Sequence, residues 1–159
     1  MIEWSRTLRS ALVSGSCASL ASATALAVAA RVEGRAAVQP INATSHWLNG
    51  EDAGSYTGFD GAHTAVGYAT NHAASIFWAV FFEAWLARRG STGAVSMLRD
   101  ASVMSAIAAA VDYGATPKRF TPGWEFVLSS SLSDLTRRGG VFRIGIAIRF
   151  PSGTVFPSI

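Results

Sequence analysis

Three histidines and two glutamates are the residues of this sequence best suited to chemistry: His46, His63, His72, Glu51 and Glu83. Imidazole and carboxylate groups handle protons and bind transition metals. A metal site requires several such ligands within about 2.2 Å of one ion. On a continuous helix His63 and His72 project from opposite faces, because nine residues at about 100° each bring the second to the far side. We therefore predict no metal site and no cofactor.

The polar residues of one apolar segment are the other candidates for function. They are His63, Asn71, His72 and Glu83, with His46 and Glu51 as loop candidates. An ionisable group inside a membrane helix is costly and marks a functional hypothesis by default. Glu83 precedes Arg88 by five residues, however, so its carboxylate can also reach the membrane surface. Two roles stay open for these residues: hydrogen bonding between helices, or a membrane carrier or enzyme that uses His63, His72 and Glu83.

Other chemistries find no support in the sequence. There is no glycine-rich nucleotide loop and no Gly-x-Ser-x-Gly motif. The pI is about 9.6, but the cations stand in small groups between apolar segments, whereas nucleic-acid binding concentrates them on one face. We predict no nucleic-acid partner. Cys17 is the single cysteine, which excludes an internal disulfide, and its Ala/Ser-rich setting indicates a packing residue.

The composition indicates a membrane environment. Of the 159 residues 50% are hydrophobic and only 14% are charged, whereas soluble domains carry about 25% charged residues. The mean hydropathy is +0.29. Such a chain lacks the charge to face water on every side, and its length allows one domain.

Three segments have the length of membrane spans: residues 10–30, 62–87 and 93–114. About 20 apolar residues cross the hydrocarbon core of a bilayer. We therefore predict an all-α membrane protein with about three transmembrane helices, or four if the tail contributes. In the first span small residues recur every four positions in two stripes, Ser10, Ser14, Ala18 and Ser22, and Gly15, Ser19, Ala23 and Ala27. Small residues let helices approach closely in lipid, so we expect these faces to pack against partner helices.

The first segment also has an alternative interpretation. Arg6 and Arg9 precede an apolar run that ends in small residues at Ala30, and this order resembles a cleaved secretory signal peptide. The rival to a membrane protein is thus a secreted or soluble helical protein that has lost the segment up to Ala30.

The connections between spans differ in character. Residues 31–60 contain Pro, Asn and Gly and predict a long loop with one amphipathic turn at residues 41–48; loops of this length are often functional. Arg99 and Asp100 are adjacent and are expected on different helix faces. Asp112 beside Tyr113 is expected near a helix end, as an interfacial or capping group. Lys and Arg counts in the short loops favour a cytoplasmic amino terminus.

The last segment does not fit the membrane pattern. Residues 129–159 form a basic tail in which Val141 to Phe150 alternates like a strand, and an isolated strand cannot exist in lipid. We predict that residues 1–128 are the membrane-embedded helical domain and that the tail is irregular, strand-like or disordered. A frameshifted terminus is one hypothesis for this change, which translation of the other two reading frames of the gene tests.

Short motifs between residues 41 and 128 resemble a group of small, uncharacterised bacterial integral membrane proteins. They are Asn42-Ala-Thr-Ser-His-Trp-Leu48, Ala62-His-Thr-Ala-Val-Gly-Tyr68, Asn71-His72, Phe77-Trp78-Ala79, Asp112-Tyr113 and Pro117-Lys-Arg-Phe-Thr-Pro-Gly-Trp-Glu125. The resemblance implies a multi-pass protein of the bacterial inner membrane with four helices. That group has no established activity that could be carried over. The last helix of that pattern is replaced here by the basic tail.

We therefore expect an inner-membrane protein of unknown biochemical activity, more a structural or interaction component than an enzyme. Its expected partners are the lipid bilayer and other membrane protein subunits.

Overall fold

The computed structural model describes residues 3–90, 93–124 and 127–128. Every regular element in these ranges is helical, which confirms the predicted all-α class for this part of the chain. The main helices are α1 (Trp4–Val32), α2 (Gln39–Ala43), α3 (His46–Asn49), α4 (Val66–Arg89) and α5 (Ala94–Gly114). Short turns lie at Glu51–Ser55 and Lys118–Phe120, which are 3-10 helices, and at Gly61–Ala65, which is a π-helix. The predicted strand-like tail and the frameshift hypothesis fall outside the described residues.

Helices α1 and α4 form an antiparallel pair and make the largest interhelical contact. At its closest point Gly15 lies against Ile76, where an added Cβ would stand 2.7 Å from the Ile76 Cα atom. The buried positions of α1 include Ala11, Gly15 and Ser19, spaced four residues apart. Of the predicted stripe Gly15, Ser19, Ala23 and Ala27, the first two are therefore buried, and they pack against α4 of the same chain.

Helix α4 ends where its sequence predicts. Gly90 adopts the left-handed conformation with φ of 62° and follows two arginines in the last turn. Its beginning is less regular, since the π-helix precedes it and Asp60 caps the backbone N–H of His63.

Helix α5 contacts the rest of the protein only sparsely, and Asp100 is its one buried residue. The Asp100 carboxylate lies 3.3 Å from the Arg89 guanidinium and 3.4 Å from that of Arg99. The expectation that Arg99 and Asp100 do not share a face was incomplete. A long arginine side chain can fold around the helix to its neighbour, and Asp100 consequently ties α5 to the end of α4.

The segment predicted as a loop holds the most continuously buried stretch of the described chain. Residues 39–46 are all buried, and they include α2 and the first residue of α3. The prediction of one amphipathic turn was wrong here, because the structure has two helical turns with polar side chains turned inward. We call residues 36–65 the cap. It covers the end of the α1/α4 pair, where the Ile41 carbonyl rests on Gly67.

Among the described helices two are long and apolar enough to cross a membrane, α1 and α5. At 1.5 Å per residue they are about 43 Å and about 31 Å long. Helix α4 is long enough to cross a membrane but is not one of the two. For the predicted span at 62–87 the structure therefore confirms a helix and not a membrane span. Asn71, His72 and Glu83 lower its mean hydropathy.

Candidate functional site

A cavity of about 490 Å³ opens between α1, α4 and α5. We call it the three-helix cleft. Small residues form much of its α1 and α5 walls, Ser14, Ala18 and Ser22 on α1 and Ala101 and Ala108 on α5. Three members of the predicted stripe Ser10, Ser14, Ala18 and Ser22 therefore line a cavity. Ligand sites typically occupy about 300–1,000 Å³, so this is the candidate site of the described chain.

Asn71 holds one wall of the three-helix cleft in position. Its side-chain amide donates hydrogen bonds to the hydroxyls of Ser19 at 3.0 Å and Ser22 at 3.3 Å. Hydrogen bonds between membrane helices are each worth about 0.6 kcal/mol on average. Asn71 thereby joins α4 to α1.

An acid lies near the end of the three-helix cleft. Asp112 of α5 and Trp78 of α4 both line the cavity. Trp124 lines it too and packs edge-on against Tyr113, with ring centroids 6.4 Å apart. Asp112 was expected as an interfacial or capping group near a helix end, and it lies in the last turn of α5.

Asn42 is the centre of the cap. It is completely buried, and its amide donates to the carbonyls of Tyr56 at 2.8 Å and Gly58 at 3.0 Å. Its side-chain oxygen accepts from the Thr64 hydroxyl at 2.7 Å. One side chain thereby joins three parts of the cap: α2, residues 56–58 and the π-helix.

Asp60 orients His63 at the surface of the cap. The carboxylate accepts from the backbone N–H of His63 at 2.7 Å and lies 3.1 Å from its ring Nδ1. The His63 ring also stacks on Tyr56, with centroids 4.4 Å apart. Hydrogen bonds from His63, the backbone one first, lower the pKa of Asp60, and the negative charge of Asp60 raises the pKa of Tyr56. In the neutral imidazole, donation from Nδ1 to the carboxylate makes Nε2 the basic nitrogen.

The remaining sequence candidates lie apart from one another. His46 is buried, with Nδ1 3.0 Å from the Ala43 carbonyl, and Glu51 is exposed at the start of a 3-10 turn. His72 stacks on Tyr68 at 5.8 Å, and Glu83 is half-buried in α4.

The structure brings no two of the six candidates into a common site. His63 and His72 are about 13 Å apart along the helix axis, and each has its own partner. Within the described residues no group of three or more His, Cys, Asp or Glu side chains could hold a metal ion.

Sequence reasoning missed three residues that organise these sites, Asn42, Asp60 and Tyr56. The sequence does carry a signal for one of them, because an Asp three residues before His63 at a helix start is a typical capping residue. The roles of Asn42 and Tyr56 depend on contacts across 14 or more positions in the chain, which no local pattern encodes.

Comparisons of the chain with models of protein families, with curated proteins and with solved structures found no match.

Proposed function

We propose that this chain is a multi-pass protein of the bacterial inner membrane, with α1, α4 and α5 crossing the bilayer and the cap at one surface. It serves as an interaction component whose outer helix faces contact lipid and other membrane subunits. The observation that carries this proposal is the exposure of apolar side chains along helices of membrane length.

The two most apolar helices bury little of their surface within the protein. In their most apolar windows 17% of α1 and 6% of α5 is buried, whereas the core helix of a soluble protein is mostly buried. On α5 Val95 is 84% and Leu98 70% exposed. Apolar surface on this scale requires lipid or another protein to cover it.

The contacts of α1 argue against a cleaved signal peptide. Gly15 permits close approach to Ile76, and Ser19 and Ser22 bond to Asn71. A segment that is removed has no use for a fitted interface with α4. We infer that α1 stays in the mature protein.

In this proposal helix α4 also crosses the bilayer, and α1 shields its polar face from lipid. Its polar Asn71 is directed at α1, so the side chain that lowers its hydropathy is paired inside the protein. Phe77 and Phe81 are 56% and 49% exposed and face outward.

The cations favour one orientation. Five of them, Arg6, Arg9, Arg88, Arg89 and Arg99, lie at one end of the antiparallel helices, and four, Arg31, Arg35, Lys118 and Arg119, lie at the cap end. The end with more Lys and Arg near short loops faces the cytoplasm. The amino terminus is therefore cytoplasmic and the cap faces the periplasm.

Extraction of membranes with alkaline carbonate tests the membrane assignment. We expect the full chain to stay in the pellet, because three membrane spans hold it in lipid. We also expect mass spectrometry of the pelleted protein to find the segment up to Ala30. A peripheral membrane protein of the same cells serves as the control for release. Recovery of the chain in the supernatant, or loss of the segment up to Ala30, would favour the secreted or soluble alternative.

A further inference from the structure

The geometry points to a ligand for the three-helix cleft: a small organic cation with an apolar, aromatic body. Among the residues that the structure describes, the lining of the cleft combines one carboxylate, aromatic side chains and a hydroxyl without a hydrogen-bond partner. Each of these restricts the ligand in a different way.

The charge of the cleft selects a cation. Asp112 is the only charged residue among the described residues that line it. Among the described residues Asp112 takes part in no ion pair, although its side chain is half-buried. A charge that is partly removed from water is costly unless it is paired, and a bound cation would compensate it.

No arginine of the described chain takes this role. Arg119 is the nearest described arginine along the chain, but its guanidinium donates to the Trp47 carbonyl at 3.2 Å and is not part of the lining. Arg89, at the end of α4, and Arg99, near the start of α5, pair with Asp100. Among the described side chains none therefore offsets the charge of Asp112, and we assign that role to a ligand.

The walls of the cleft select an apolar body. Trp78, Phe82 and Trp124 line it, and aromatic faces attract organic cations by about 0.5–2 kcal/mol each. On the α1 side the Ser14 hydroxyl also lines the cleft, buried and without a hydrogen-bond partner among the described residues. It can bond to a polar group of the ligand.

Two ions of the same shape and opposite charge test this inference. Full-length protein in a non-ionic detergent is titrated with tetraphenylphosphonium and, separately, with tetraphenylborate, and binding is followed by tryptophan fluorescence. We expect saturable binding of the cation, at least tenfold tighter than that of the anion. Partition into micelles is linear in concentration and is subtracted with empty micelles.

Variants locate the binding site. Asp112→Asn removes the charge but keeps the size of the side chain, and we expect it to weaken cation binding at least tenfold. Glu83→Gln is the matched control, because Glu83 is a membrane-helix acid outside the cleft, and its binding stays as in the parent. Should Asp112→Asn fail to fold, Ala108→Leu fills the cleft without a change in charge and abolishes saturable binding.

Three results would overturn the inference: no saturable binding of the cation, equal affinity for the two ions, or parental affinity in Asp112→Asn or Ala108→Leu. The experiment does not depend on membrane insertion, so its outcome and that of carbonate extraction are independent.

Discussion

Replacing Gly67 with alanine is expected to lower the free energy of unfolding by about 3 kcal/mol, at the upper end of the range for overpacking a close contact. An added Cβ would collide with the Ile41 carbonyl, whose carbon atom would stand at 2.9 Å. Backbone atoms cannot rotate away as a side chain can, so the cap must lift from α4. Denaturation of the detergent-solubilised protein by sodium dodecyl sulfate measures the change.

Gly61→Ala is the matched control for this substitution. Gly61 lies in the π-helix that leads into α4, and an added Cβ there would meet no atom within 4 Å. We expect it to lose less than about 0.5 kcal/mol of stability, on the scale of ordinary surface substitutions. Equal stability of the Gly67 and Gly61 variants would show that the cap does not rest on α4 as described.

Replacing Asn42 with alanine is expected to cost about 3 kcal/mol or more, because each buried polar group left unpaired costs about 1–3 kcal/mol. The substitution leaves the carbonyls of Tyr56 and Gly58 and the hydroxyl of Thr64 without this partner. Limited proteolysis provides a second measurement, with faster cleavage in residues 50–60 of the variant.

Asn49→Ala is the control that separates burial from hydrogen bonding. Asn49 also donates two hydrogen bonds, to the Ser45 hydroxyl at 2.9 Å and the Ala62 carbonyl at 2.7 Å. It is only half-buried, so water replaces the lost partner and we expect a loss of less than about 1 kcal/mol. The central position of Asn42 is contradicted if its variant is no less stable than Asn49→Ala.

The parts of the fold with a helical period in their sequence could be predicted. The four-residue spacing of Ala11, Gly15 and Ser19 marks the face of α1 that packs on α4. Gly90 after two arginines marks the end of α4. These signals are local, because one helix face or one helix terminus contains all the residues involved.

The cap and the three-helix cleft could not be predicted in this way. Residues 39–46 are buried although they include Gln39, Asn42 and His46, so hydrophobicity gives no sign of a core there. Polar side chains are buried when distant backbone groups take their hydrogen bonds, and Gln39 donates to the carbonyl of Gly54 at 3.0 Å in this manner. Asp112 and Trp78 likewise come to line one cleft only once α5 folds back on α4.

The surroundings of the candidate histidines could not be predicted from the sequence either. The period of a helix correctly separates His63 from His72, but it does not reveal that Asp60 and Tyr56 surround His63. Those two residues belong to the turn before the helix, where backbone direction and not periodicity decides which side chains meet.

The central claim, that α1 lies in the bilayer and the cap outside it, can be tested at a single native thiol. Cys17 is near the middle of α1 and is exposed on the surface of the protein. Lipid, and not protein, must therefore shield it from a charged, membrane-impermeant maleimide. In a Cys17→Ser background, Asp52→Cys supplies a comparison thiol at an exposed position of the cap.

In intact spheroplasts we predict that the Asp52→Cys thiol is labelled within minutes, whereas Cys17 of the parent protein stays unlabelled until detergent is added. Labelling of Cys17 as rapid as that of Asp52→Cys before detergent would place α1 in water and contradict the account.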